Sequence, residues 1–240
     1  MPPVPDAQKN CAALGRSPVA SLPLTCRSAP MTSGSAFPLP RTVTVGDLRV
    51  CLRPVTPDDR ERILAGLQAL SVETSYRRFF APTFYPSEAT LHYLTHPDGE
   101  RHVAIGAVDC TREGTPGIGA ARYVRLADQP TVAEAAVVVV DAYQQQGIGS
   151  LLLAALSRVA ADRGVDRFRG YVLADNRDFL TYLRTLGAVN EQAHDAVIQL
   201  DVPVYAREEA LPAGPETERA RWAWRTLADA PVADCTDAPA

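Results

Sequence analysis

The sequence predicts a mixed α/β domain, and three observations carry that prediction. Strand-like and helix-like segments follow one another as strand, helices, three strands, helix, strand, helix, strand. The most β-branched segment, Val132–Val140, runs into the most clearly amphipathic helical pattern, which starts at Ile148. The connection between these two is short and polar, and glycines stand at 147 and 149.

The elements follow in order. Residues 1–45 are rich in Pro, Ser and Ala without sustained periodicity, so they are expected to be disordered, with Met31 as a candidate translation start. Leu48–Arg53 alternates as a strand. Thr56 caps a helix with Pro57 in its first turn and Asp58 and Asp59 beside it; Ile63, Leu64, Leu67 and Leu70 then recur at helical spacing. Short helices are expected over Glu73–Phe80 and Ser87–Leu94.

His102–Cys110 and Gly119–Leu126 read as strands joined through the Gly/Pro turn at Glu113–Gly117. The helix after Val132–Val140 shows Ile148, Leu151, Leu152, Ala155, Leu156 and Val159 on one face and ends near Gly164. Phe168–Leu173 is a strand, Arg177–Leu186 a helix stopped by Gly187, and Ala196–Val202 the last strand. One domain over residues 46–203 results, with 204–240 as an extension. Within it, Glu216–Ala228 is expected to form an exposed helix carrying Trp222 and Trp224, followed by a frayed end.

Bulk properties exclude several functions. At 240 residues, 46% hydrophobic and 22% charged, the chain has the composition of an ordinary globular protein. A net charge of −4 without any Lys/Arg run argues against a general nucleic-acid binder. No stretch approaches the ~20 apolar residues of a membrane span, and prolines interrupt the N-terminus before a signal peptide forms. Cys11, Cys26, Cys51, Cys110 and Cys235 are odd in number, widely spaced and free of CxxC pairs. Neither a disulfide framework nor a structural zinc is expected; they read as small apolar fillers or surface thiols of a cytoplasmic protein. Lys9 is the one lysine among many arginines, a bias expected of a GC-rich bacterial genome.

The chemistry centres on Asp141-Ala142-Tyr143-Gln144-Gln145-Gln146-Gly147-Ile148-Gly149-Ser150. Backbone N–H groups before and within a first helical turn have no intrahelical partner, and the helix dipole adds partial positive charge, so this junction is an anion site. Gly147 and Gly149 let phosphate oxygens approach the backbone. The GxxxxGK[ST] pattern is absent, and Leu152 occupies the third glycine position of a dinucleotide fingerprint.

Gln144-Gln145-Gln146-Gly147-Ile148-Gly149 resembles the Q/R-x-x-G-x-G/A signature of the GNAT acetyltransferases. The resemblance covers roughly residues 46–203, including the strand before the loop, the helix after it, and a helix headed by Asn176. Three segments are similar to the Pat-type protein lysine acetyltransferases: Leu70–Phe80, Ala133–Val139 and Tyr171–Arg177. In that subfamily the catalytic domain often sits beside a regulatory or CoA-ligase-like domain, so the likeness is to the catalytic domain alone.

The resemblance implies a central, mostly antiparallel sheet flanked by helices, with acetyl-CoA as acyl donor and no metal. It places the pantetheine arm on backbone groups of Val137 and Val139. The pyrophosphate falls on Gln144, Gln145, Gln146, Gly147, Ile148, Gly149 and Ser150, and Asn176 borders the thioester. Gln144 replaces the commoner arginine, keeping a donor but losing a charge.

Glu134 interrupts an apolar strand, where partial burial would raise its pKa toward that of a useful proton acceptor. On the residues alone, a solvent-facing glutamate is the competing reading; the resemblance implies the catalytic base. Where many relatives carry a tyrosine as proton donor this chain has Leu183, and the neighbouring Tyr182 is expected to pack against the Phe179/Leu180 face. The resemblance places Arg77, Arg78, Phe79 and Phe80 on the acceptor wall, while an aromatic pair on a short helix is more often core. His92 and His96 lack the glutamate of an HExxH motif, so packing or surface roles are expected for them. The expected activity is acetyl transfer to a primary amine, with a protein lysine favoured. Alternatives are a small-molecule amine acceptor or a non-catalytic acyl-CoA sensor.

Overall fold

A computed structural model describes residues 37–233. Its strands are β1 (Arg41–Val45), β2 (Leu48–Pro54), β3 (His102–Asp109), β4 (Gly117–Arg125), β5 (Val132–Val139), β6 (Arg167–Leu173), β7 (Val189–His194) and β8 (Val197–Pro203). The helices are α1 (Arg60–Gln68), α2 (Val72–Phe79), α3 (Glu88–Thr95), α4 (Ile148–Asp162), α5 (Arg177–Thr185) and α6 (Glu218–Asp229).

All eight strands form one sheet in the order β1-β2-β3-β4-β5-β6-β8-β7. Neighbours are antiparallel except β5 and β6, which are parallel. This is the mixed α/β, mostly antiparallel sheet flanked by helices that the resemblance implies. The period-two pattern of β5 divides its side chains between the two faces. Ala133, Ala135, Val137 and Val139 join the core that contains Leu151, Leu152, Ala155 and Leu156 of α4. Ala136 and Val138 face the other way, around a small cavity that they share with Ile63 and Leu67 of α1.

The local signals explain most boundaries. Ser71 and Ser87 cap α2 and α3, each accepting a hydrogen bond from the N–H three residues on. Gly187, at φ 78°, lets the chain leave α5.

Four expectations need correction. Residues 1–45 are not uniformly disordered, because Arg41–Val45 forms β1, paired with β2 across a turn at Gly46 and Asp47; residues 1–36 lie outside the described region. The last strand is preceded by β7, an edge strand whose residues are all exposed and therefore show no apolar alternation. The tail helix is not exposed: α6 packs on α4, burying Ala220, Ala223, Trp224 and Leu227. Cys51, read as a filler, is disulfide-bonded, whereas Cys110 is a buried free thiol. No helix among the described residues is long and apolar enough to cross a membrane.

Candidate active site

β5 has two unlike edges. Toward β4 it pairs at seven positions, from Arg125↔Ala133 to Gly119↔Val139. Toward β6 it pairs at only three, Val132↔Arg167, Ala133↔Phe168 and Glu134↔Arg169. Beyond Glu134 the two strands splay apart. Val140 donates its N–H to the Ile118 carbonyl (2.9 Å), and the Val132 carbonyl accepts from Leu126 (3.0 Å), so even-numbered residues bond to β4. By alternation, Ala135, Val137 and Val139 turn their backbone groups into the gap. A cavity of about 380 Å³ occupies it, reaching Glu134 and Arg78 at one end and Gly149 and Asn176 at another.

The loop contributes backbone groups more than side chains. Gly147 caps α4 at φ 89°, and Gln145 also lies in the left-handed region at 60°. Among the described residues, no acceptor bonds the N–H groups from Gln145 through Ser150. The Gln144 side chain, in contrast, is committed inward: its Nε2 donates to Thr74 Oγ1 and to the Val139 carbonyl, both at 3.0 Å. The spare donor expected at this position is therefore occupied. Gln145 and Gly149 line the cavity. Gln146 instead donates to the Ala142 carbonyl, Ile148 is buried in the core, and Ser150 is buried in the first turn of α4.

Asp141 is a site residue that the loop signature did not single out. Its carboxylate accepts from Ser71 N–H (2.8 Å), Ser71 Oγ (2.7 Å) and Thr74 Oγ1 (2.8 Å). Burial pushes its pKa up, but the hydrogen bonds from Ser71 and Thr74 outweigh this and hold it below the ordinary carboxylate value. The signal was present in sequence as Ser71-x-x-Thr74 at a helix start, but its partner lies seventy residues away.

Glu134 is half-buried at the point where β5 and β6 part. Burial raises its pKa above the ordinary value, partly offset by the positive charges of Arg78 and Arg169. Arg169 is itself engaged with Asp201 at 2.8 Å. Arg77, Arg78 and Phe80 line the cavity beside Glu134, on the wall expected for the acceptor. Phe79 does not join them; it is buried and stacks on Phe84 (4.1 Å).

Asn176 heads α5 with no side-chain cap bond and lines the cavity. Leu183, at the position of the family tyrosine, is buried and also lines it. Tyr182 packs against the core as expected. Its buried hydroxyl lies beside Ser150 without completing a hydrogen bond of good geometry. His92 and His96 stack on each other at 3.7 Å. His102 is buried under Tyr93, and burial followed by the charge of Arg122 pushes its pKa down to about 4.

A strand with one open edge, a helix start whose first N–H groups have no acceptor among the described residues and a half-buried carboxylate meet around one cavity, as in an acyl-CoA-dependent N-acetyltransferase domain. Residues 49–189 match the family described as Acetyltransferase (GNAT) domain, and the chain belongs to that family. Domains of this family use acetyl-CoA as acyl donor. The chain is 41% identical over 170 residues to Acetyltransferase Pat of Mycolicibacterium smegmatis, covering 69% of this chain and 49% of that protein. It thus spans about half the length of that relative. Among solved structures it is similar to the GNAT domain of S. lividans PAT, at 32% identity and a TM-score of 0.59, covering 68% of this chain and 96% of that one. It is also similar to a cAMP-binding acyltransferase from Mycobacterium smegmatis, at 34% identity and a TM-score of 0.50, covering 79% and 54% respectively.

Proposed function

We propose that this protein transfers acetyl from acetyl-CoA to the side-chain amine of a protein lysine, with Glu134 as the base. The observation that carries this reading is the position of Glu134. It stands, with a raised pKa, where the free backbone edge of β5 begins. In this reading the thioester carbonyl is polarised by N–H groups of Val137 or Val139 and the phosphates rest on the loop from Gln144 to Ser150. The lysine amine enters past Arg77 and Arg78. Glu134, directly or through one water, takes a proton as nitrogen attacks the carbonyl carbon. Collapse of the tetrahedral intermediate expels CoA thiolate and leaves an amide.

The lining of the cavity favours a lysine presented by a protein over a free polyamine. Among the described residues Glu134 is the one acid lining it, whereas Arg77, Arg78 and Arg219 are cationic. A molecule with several ammonium groups finds no set of counter-charges there. The relative's name, Acetyltransferase Pat, agrees with an acetyl donor and leaves the acceptor to experiment. The test is thiol release from acetyl-CoA with a panel of lysine-bearing proteins, small amines and no acceptor, combined with mass spectrometry of the products. Acetyl-lysine on a protein is the expected product. Preferential acetylation of a small amine overturns the acceptor, and acetyl-CoA binding without any turnover turns the reading toward a sensor.

A further inference from the structure

With Gln144 turned inward, the phosphate loop carries no cation of its own. A diphosphate held by backbone N–H groups alone forgoes the charge-assisted contacts that make anion sites strong. The C-terminal helix brings a candidate to this place. α6 lies on α4, and its Trp222 covers the first loop glycine: a methyl group on Gly147 would stand 2.5 Å from the indole carbon Cζ3. Arg219 precedes Trp222 by three residues, so the two share a face of α6. The Arg219 guanidinium lies 6.0 Å from the centre of the Tyr182 ring, whose hydroxyl neighbours Ser150 in the first turn of α4.

Arg219 lines the same cavity as Val137, Gly149 and Asn176, is exposed, and forms no ion pair among the described residues. The other lining arginines are at the acceptor end: Arg77 is paired with Glu73 (2.5 Å), and Arg78 faces Glu134.

We propose that Arg219 is the phosphate-binding cation of this site, contacting the diphosphate of the acyl donor where α4 begins. Trp222 is the wall that holds α6 against the loop. The extension after β8 is then a working part of the donor site. This rests on acyl-CoA being the donor, and the experiment separates the two claims.

Acetyl-CoA binding to the full chain is measured by calorimetry for wild type, Arg219→Ala, Arg219→Lys and Trp222→Phe, with melting curves for each. Arg219→Ala is expected to weaken binding roughly tenfold without lowering the melting temperature, since the side chain is exposed. The loss shrinks at high salt, and Arg219→Lys recovers part of it. The same loss persists with the donor lacking its 3′-phosphate and vanishes with S-acetyl-pantetheine, which has no diphosphate.

Equal affinity of wild type and Arg219→Ala overturns the assignment, and so does a loss that vanishes with the 3′-phosphate. Tighter binding by Arg219→Ala or Trp222→Phe overturns it too, because α6 would then be a plug. Wild type that binds no acetyl-CoA defeats the donor reading, and this assignment falls with it.

Discussion

The two edges of β5 are built from the same residues and behave differently. On the β4 side the strand is sealed by a seven-position ladder. On the β6 side the ladder stops after three, and the next residues of β5 have no partner strand on that edge. An unpaired strand edge inside a fold is costly to leave empty and ready to bind an extended chain. Here the opening follows from β5 and β6 being parallel neighbours whose chains diverge into different caps. β5 ends in the Asp141 loop tied to α2, and β6 ends in the turn that leads to Asn176. Composition alone does not distinguish the two edges.

Proline substitutions offer the sharpest way to break this comparison. Val138→Pro removes an N–H that faces β4 and is expected to cost roughly 3 kcal/mol or more, read as lost soluble protein or a collapsed denaturation midpoint. Glu134→Gln should come next in effect. The kcat falls about a hundredfold while the acetyl-CoA KM holds, since the carboxylate serves the acceptor amine and not the donor. Wild-type activity is expected to rise as pH passes through the raised Glu134 pKa, and the variant's profile should lose that limb. Should Glu134→Gln match wild type, another group is the base.

Val137→Pro removes an N–H that faces the gap. The fold should survive with a smaller stability loss than in Val138→Pro, while the acetyl-CoA KM rises roughly tenfold for one lost hydrogen bond. Equal damage from both prolines would mean that the two edges are equivalent.

The smallest expected effect is on stability. A carboxylate whose folded pKa lies above its unfolded value binds more protons in the folded state, so stability drains away as pH rises through that window. Glu134→Gln should therefore melt a few degrees above wild type at neutral pH, with the gap closing below the ordinary carboxylate pKa.

What was legible in the sequence follows a physical line. The central elements were readable because Val132–Val139 and Ile148–Asp162 bury continuous apolar faces and so impose a period. β7 was not, because an exposed edge strand, Val-Asn-Glu-Gln-Ala-His, leaves no such imprint. β1 left a weaker trace: alternating Thr and Val before Gly46, masked by the proline-rich residues ahead of it.

The burial of α6 leaves little trace in the sequence for another reason. Ala220, Ala223, Trp224 and Leu227 do follow helical spacing, but two alanines make a thin stripe, so the face reads as polar. In the site, the glycine loop was visible as a local motif. The inward turn of Gln144 was not, because it depends on Thr74, which belongs to an element far away in sequence.

Asp141 joins two parts of the molecule to which the proposed function assigns different substrates. Its carboxylate fastens the start of α2, which carries Arg77 and Arg78, to the turn that opens the phosphate loop. Neither segment can shift without disturbing the other. Under the proposed function, occupancy by one substrate is expected to change the affinity for the other, and by the same factor in both directions. Reciprocal synergy between the two ligands, weakened in Asp141→Asn, would show in the order in which they bind.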